Sequence, residues 1–392
     1  MRIGIDARFL THPQLGGFKT YSECLIAALV ELDRANEYLL YVDRKPAAAL
    51  PTGPHVQIRS VSGSAPLVGM PWREQVSLAA LAARDRLDLF HAPCLTAPLA
   101  LPCPLVVTIH DMIWRSPARF SQGARPAGRR SLMERYYRSV PALAARRARA
   151  VITVSESVKS DIVAELGLPP ARVTVTPEAA RSIFRPMDAQ AAHSAVRSRY
   201  GLEPGYVLAI GSADPRKNLD TMLRAYAALP AELRAHHRLA IVWTHRHLAE
   251  AIGRQAQALG IAGATRFLEA VSDADLVALY RSAALFAFPS RYEGFGLPPL
   301  EAMACGTPVV AAANSSIPEI VGEAALQFPT EDAAALTAAL RRCLEHPALR
   351  GELAEAGLRR AASFSWQRCA ALTLAVYEKT TRRHTGQSVR AR

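Results

Sequence analysis

The stretch from Phe288 to Val310, FPSRYEGFGLPPLEAMACGTPVV, decides the fold. It reads as the end of a strand, a glycine-bearing turn, a helix opening behind Pro298 and Pro299 and ending at Gly306, and a second strand. That order belongs to parallel sheets covered by helices. At the carboxyl edge of such a strand, the amides of Gly294, Phe295, Gly296 and Leu297 and the positive end of the helix favour a phosphate group, and the two glycines let it approach the backbone closely. Glu293 precedes the turn and Glu301 follows it, with seven residues between them, so both carboxylates can face one crevice from opposite sides of the anion. A carboxylate accepts well from the vicinal hydroxyls of a ribose, the role expected of Glu301, which leaves Glu293 nearer the phosphate or the transferred sugar. The competing reading of Glu301 places it in the first helical turn, offsetting the helix dipole.

Outward from this segment the same alternation continues. The clearest further strands are Arg2 to Ala7, Leu105 to Ile109, Val151 to Val154, Val207 to Ile210 and Leu239 to Thr244, and helix-like stretches separate them. An irregular stretch between Pro177 and Pro186 marks the hinge. The fold class is therefore α/β, with two doubly wound domains, 1–184 and 185–364, facing across a cleft that is the natural binding site. Trp366, Cys369, Leu372 and Val376 have helical spacing, so residues 365–392 are expected to form a closing helix, to about Arg383, and a frayed basic tail.

Composition bounds the function. Half of the 392 residues are hydrophobic and 21% are charged, as in ordinary globular chains. Met1 to Phe9 alternates polar and apolar residues, so neither a secretion signal nor a membrane span is expected. The six cysteines lack metal or redox spacing, which points to reduced thiols. A formal charge of +13 favours a polyanionic neighbour: a sugar nucleotide, an anionic lipid head group or a nucleic acid. Arg115 to Arg149 carries ten arginines against Glu134, and Ser131 to Ala148 reads as a helix with basic and apolar positions interleaved. It suits a solvated face as well as a membrane or acceptor surface.

Glu293, the Gly-Phe-Gly turn and Glu301 resemble the glutamate-seven-glutamate motif of the retaining enzymes of glycosyltransferase family 4, which share the GT-B fold. A second match is VLAIGSADPRKNL, Val207 to Leu219, where the resemblance assigns donor-diphosphate binding to a basic residue: Lys217 first, then Arg216. The leaving nucleoside diphosphate gains negative charge in the transition state, and fixed cations stabilise that gain. Many members carry an arginine where Ser212 stands, so the usual pair of cations is altered here, with Arg216 as the substitute. The third match is Gly16 and Gly17, after the first strand and before a helix, a glycine loop that faces the donor in the family. The fourth is His110, followed by Asp111 at the end of Leu105 to Ile109. The family places a donor-sugar histidine there, against the alternative of a ring satisfied by neighbouring backbone. The stretches VSESVKSDI, Val154 to Ile162, and FSWQRCA, Phe364 to Ala370, extend the resemblance to nearly the whole chain.

The resemblance implies a metal-independent, retaining hexosyltransferase without a cofactor. It would use a GDP-, UDP- or dTDP-sugar and a hydroxyl acceptor, lipid-linked in many settings of the family, in surface polysaccharide or glycoconjugate synthesis. A cytoplasmic protein touching the inner face of the plasma membrane, with no nucleic-acid partner, is expected. The alternatives are a nucleotide-sugar epimerase or sugar phosphorylase on the same fold, and a basic nucleic-acid- or membrane-binding protein. Smaller features read as local structure: Ser272 as an N-cap before Asp273 and Asp275, Ser316 and Glu319 as a capping box, and His245 and His247 as residues beside a strand end.

Overall fold

The computed structural model describes residues 1–11, 16–43, 50–61, 69–115, 130–212, 214–243 and 249–389. The chain falls into two compact units. Among the described residues, the first comprises Met1–Arg115, residues 130–178 and Ser365 onward, and the second Ala179–Phe364.

The first unit holds a seven-stranded, wholly parallel sheet built from β1 (Arg2–Asp6), β2 (Glu37–Val42), β3 (Val56–Ser60), β4 (Leu89–Ala92), β5 (Leu105–Ile109), β6 (Ala150–Thr153) and β7 (Val173–Val175). Their order is β3-β2-β1-β4-β5-β6-β7. The second unit repeats the plan with β8 (Val207–Gly211), β9 (Leu239–Trp243), β10 (Thr265–Leu268), β11 (Leu285–Phe288), β12 (Val309–Ala312) and β13 (Ala325–Phe328), in the order β10-β9-β8-β11-β12-β13. β5, β11 and β12 are apolar throughout except for Thr108 because helices cover both faces of the sheet. Two apolar layers, one per face, flank the second sheet: Phe286, Phe288 and Ile317 lie in one, Ala287, Leu223 and Leu340 in the other.

Strand order places the sites. In each unit the order reverses once, between β1 and β4 and between β8 and β11, and at such a point the two following loops diverge and leave a crevice at the carboxyl edge. The loops after β8 and β11 carry Arg216, Lys217 and Glu293, which are far apart in sequence.

Three local expectations are corrected. The final helix runs Trp366–Val389, six residues beyond the Arg383 end expected for it, with Trp366, Cys369 and Tyr377 buried and the Trp366 ring against Tyr21. The helix after the glycine turn starts at Leu297, so Glu301 lies in its second turn, past the reach of the helix dipole. Ser316 precedes the Ile317–Val321 helix without capping it. Ser272 does cap the Asp273–Ser282 helix through the Asp275 amide, while Asp273 pairs with Arg181 at 2.6 Å. His245, His247 and residues 116–129 of the basic segment lie outside the described residues.

Candidate functional site

β8 delivers the chain into a tight turn. The Ser212 hydroxyl accepts from the Asp214 amide at 3.1 Å, and Asp214 caps the 3-10 turn Pro215–Lys217 by accepting from the Arg216 amide at 2.9 Å. Asn218 then adopts the left-handed region at φ 55°, which asparagine tolerates better than most residues. It donates to the Pro289 carbonyl at 3.0 Å and so ties the turn to the end of β11. Arg291 reinforces the tie, its amide donating to the Arg216 carbonyl at 2.8 Å.

Both cations of the first turn reach the acid of the second. Arg216 donates to Glu293 Oε2 at 2.6 Å and Lys217 to Glu293 Oε1 at 2.8 Å, and the Ser290 hydroxyl adds 2.6 Å to Oε1. Glu293 is only 9% exposed. Burial alone would raise its pKa, but Lys217 and Arg216, with the Lys217 and Ser290 hydrogen bonds, outweigh burial and bring it down to about 2. The two cations are held differently. Arg216 also bonds Asp214 at 3.2 Å and the Tyr292 carbonyl at 2.7 Å, whereas Lys217 lies over the Phe288 ring, 5.1 Å from its centre. Arg216 is the brace, and Lys217 is held through Glu293 and the Phe288 ring. Ser212 serves the turn and supplies no charge.

The glycine turn is anchored from behind. The Ser316 hydroxyl bridges the Glu293 and Phe295 carbonyls at 2.9 and 2.7 Å. In a trans peptide a carbonyl and the next N–H point opposite ways, so the Gly294 and Gly296 amides turn away from Ser316. The Phe295 ring is buried edge-on against Phe364, 5.8 Å between centres. Gly296 sits at φ 109°, a conformation strained for any L side chain, and a Cβ there would lie 2.7 Å from Ile317 Cδ1, the movable end of that side chain, so the backbone conformation is what requires glycine. Pro298 and Pro299 lack N–H groups, which confines the donors of this helix start to the Gly294–Leu297 stretch. Glu301 is 7% exposed, and its charge adds to burial in raising the pKa of Tyr280 and Cys305.

In the first unit, Gly16 caps the Gly17–Leu32 helix at φ 149°, and a Cβ on either Gly16 or Gly17 would meet nothing within 4 Å. Backbone conformation explains Gly16; packing explains neither glycine. His110 is 7% exposed, and both of its ring nitrogens face acceptors: Pro93 carbonyl at 2.8 Å and Glu178 Oε1 at 3.1 Å. Burial favours the neutral ring, but Cys94 and Glu178 prevail and push the imidazole up to about 10, so it is an imidazolium at neutral pH. The rings of Tyr21 and Phe18 stand edge-on to it at 4.4 and 5.1 Å. A sugar hydroxyl reaching a ring nitrogen of His110 has to displace one of these partners.

Sequence reading missed a buried ionic cluster at the reversal point of the first sheet. Arg8 pairs with Asp6 and Glu74 at 3.3 and 3.0 Å and donates to Thr96 at 2.8 Å, Arg73 pairs with Asp6 at 3.0 Å, and Tyr136 donates to Glu74 at 2.6 Å. Charged residues average as surface in a composition, so only the position of Arg8 just after a buried strand could have signalled it.

Comparison with known proteins agrees with this geometry. The model for glycosyl transferases group 1 matches residues 194–360, and that for Glycosyltransferase Family 4 matches residues 15–179. O-antigen chain mannosyltransferase B of Escherichia coli is 34% identical over 307 residues, 76% of this chain and 76% of that protein. MMP alpha-(1->4)-mannosyltransferase of Mycolicibacterium hassiacum is 36% identical over 288 residues, 71% of this chain and 66% of that one. Among solved structures, sucrose-phosphate synthase of Thermosynechococcus elongatus superposes with a TM-score of 0.75 over 96% of this chain and 98% of its own, at 21% identity, a likeness of fold. Two parallel sheets of matching strand order, a basic turn and a glutamate-flanked glycine turn brought together at one reversal point, and a relative 34% identical over three quarters of its length lead to one conclusion: the chain belongs to glycosyltransferase family 4 and has the GT-B fold.

Proposed function

We propose that this glycosyltransferase moves a hexose, with mannose the first candidate, from a nucleoside-diphosphate sugar to an acceptor hydroxyl, retaining the anomeric configuration and needing no metal. The observation that carries the reading is the convergence of Lys217 and Arg216 on Glu293 beside the Gly294–Leu297 amides. Mannose is favoured by the names of the two relatives, both mannosyltransferases.

The donor's diphosphate would lie against the Gly294, Phe295, Gly296 and Leu297 amides, with Lys217 swinging onto it and Arg216 bracing Glu293. As the bond between the anomeric carbon and the phosphate oxygen breaks, charge accumulates on the diphosphate where these donors stand, a gain worth more than uniform binding. Fixed cations do there what a metal ion would do. Glu301, buried on the same helix, would accept from the ribose hydroxyls. Glu293 is a weak nucleophile, because its oxygens are engaged by three donors and its basicity is low. That supports attack by the acceptor on the face the leaving group departs from, with the departing phosphate taking the acceptor's proton.

The test is thermal stabilisation by GDP, UDP, dTDP and ADP in the presence of EDTA, followed by transfer from the sugar nucleotide of the preferred base and assignment of the product's anomeric configuration. Selective stabilisation lost in Glu301→Ala and Lys217→Ala, and a product with the donor's configuration, support the reading. Absence of stabilisation by any nucleotide, or an inverted product, overturns it.

A further inference from the structure

His110 is held by a partner that its own strand could not supply. The ring stands at the end of β5. Glu178, which follows β7, brings a carboxylate to its Nδ1 at 3.1 Å, while the Pro93 carbonyl faces Nε2 at 2.8 Å. A neutral imidazole has one N–H and one lone pair, so one of these contacts would set acceptor against acceptor. Both distances are those of hydrogen bonds, and the ring that satisfies both carries two protons.

The carboxylate is fixed from behind. The Thr176 amide donates to the Thr153 carbonyl at 2.8 Å, the Cys369 thiol of the final helix donates to the Thr176 carbonyl at 3.8 Å, and Pro177 restricts the backbone between there and Glu178. Glu178 is 3% exposed, too deep to meet a substrate itself. Other groups close in on the ring from several elements. Phe18 and Tyr21 stand edge-on from the Gly17–Leu32 helix, the Cys94 thiol after β4 bonds the ring, and Asp111, next in the chain, accepts from the Ile113 amide at 3.0 Å. His91, on β4, bonds the Tyr377 and Thr108 hydroxyls at 2.6 and 2.8 Å, and burial, aided by the charge of His110, pushes it down to about 3. Of these two buried histidines, one is kept neutral and the other charged.

We propose that Glu178 is a positioning residue of the transfer reaction: it holds His110 as a doubly protonated donor, whose Nε2–H turns from the Pro93 carbonyl to a hydroxyl of the sugar substrate. The carbonyl is the partner that yields, because it is neutral, and the bond to the carboxylate is charge-assisted and roughly twice as strong. A ring with both nitrogens protonated has no lone pair to offer, so His110 orients a hydroxyl and does not act as the base for the acceptor's proton. The identity of that hydroxyl rests on the transferase reading above; the state of the ring does not.

The ring is therefore read first, without substrate. The protein is labelled with carbon-13 at histidine Cε1, the His110 signal is identified by its loss in His110→Gln, and its shift is followed across the range where histidines ordinarily titrate. In the wild type, burial opposes the charge but Cys94 and Glu178 push the pKa up to about 10, so the signal stays that of an imidazolium. Glu178→Gln keeps an acceptor for Nδ1–H and removes the charge, which brings the titration down to roughly pH 6 to 7. Transfer then gains a dependence that the wild type lacks: kcat/KM of the variant falls about tenfold for each pH unit above its new pKa, and Glu178→Asp removes most of that slope. A purely structural role would lower activity by one factor at every pH. A wild-type His110 that titrates near its ordinary 6.5, or Glu178→Gln activity that runs parallel to the wild type at all pH values, overturns the proposal. If no sugar nucleotide supports transfer, it is the transferase reading that fails, and the wild-type titration still decides whether Glu178 keeps the ring charged.

Discussion

Glu293→Gln separates the two things the buried carboxylate does. In the folded chain its pKa falls from 4.5 to about 2, a difference that corresponds to about 3 kcal/mol of stability. Because the folded value is depressed, this contribution is fully present above pH 4.5 and is lost as the pH falls towards 2. Removing the charge also leaves Lys217 and Arg216, each with a side chain only 15% exposed, without their common partner, and breaking a buried pair typically costs about 3 to 5 kcal/mol. The two routes agree on roughly 3 kcal/mol for the second unit at pH 7, or about 6 to 12 °C in its melting temperature. Urea unfolding of wild type and variant at a series of pH values checks it, and the difference should shrink steadily below pH 4.5. Nucleoside-diphosphate affinity should meanwhile hold or rise, because Lys217 is released, while kcat falls. A variant as stable as the wild type at neutral pH would refute the coupling of Glu293 to the two cations. A variant that lost nucleotide affinity along with kcat would refute the assignment of the diphosphate to Lys217.

Lys217→Ala should weaken nucleoside-diphosphate binding by roughly 10- to 100-fold, from the 1.5 to 3 kcal/mol of a charge-assisted hydrogen bond, and should also lower stability by denaturant titration, because it removes the largest attraction that keeps buried Glu293 ionised. Gly296→Ala combines a strained left-handed backbone with a 2.7 Å contact to Ile317 Cδ1, so unfolding measurements should show about 1 to 3 kcal/mol of destabilisation, which Ile317→Val relieves only in part. Ser316→Ala orphans two carbonyls in a fully buried site; it should cost about 1 to 3 kcal/mol and lower kcat more than it raises the donor KM. His110 has a raised folded pKa of about 10, so the stability it adds is complete below pH 6.5 and fades as the pH climbs through 10. The stability gap between wild type and His110→Gln, followed by urea titration at each pH, should close over that range.

Much of this was legible because neighbouring residues carried it. Strands such as Leu105–Ile109 and Val309–Ala312 are continuous apolar runs, and the Gly294 to Pro299 turn states its own geometry. β3 and β7 were harder, one an edge strand with partly exposed positions and the other only three residues long. Ser316 shows why the site was only half visible: its spacing to Glu319 reads locally as a cap, but its hydroxyl is taken by carbonyls more than twenty residues away. His110 was placed by its address at a strand end, while the partners that give it charge come from Pro93 and Glu178, beyond any local pattern.

The return of Ser365 onward to the first unit has a consequence for biosynthesis. The described part of the second unit, Ala179–Phe364, is synthesised before the Trp366–Val389 helix. The first unit, although most of it precedes the second in the chain, waits for the Trp366–Val389 helix to supply Tyr377, whose hydroxyl bonds His91 at 2.6 Å, and Trp366, which covers Tyr21. The usual amino-terminal-first order of domain maturation is thereby reversed. A nascent chain released before Trp366 would carry a first unit with Tyr21 and His91 stripped of their Trp366 and Tyr377 partners, a ready substrate for chaperones and proteases.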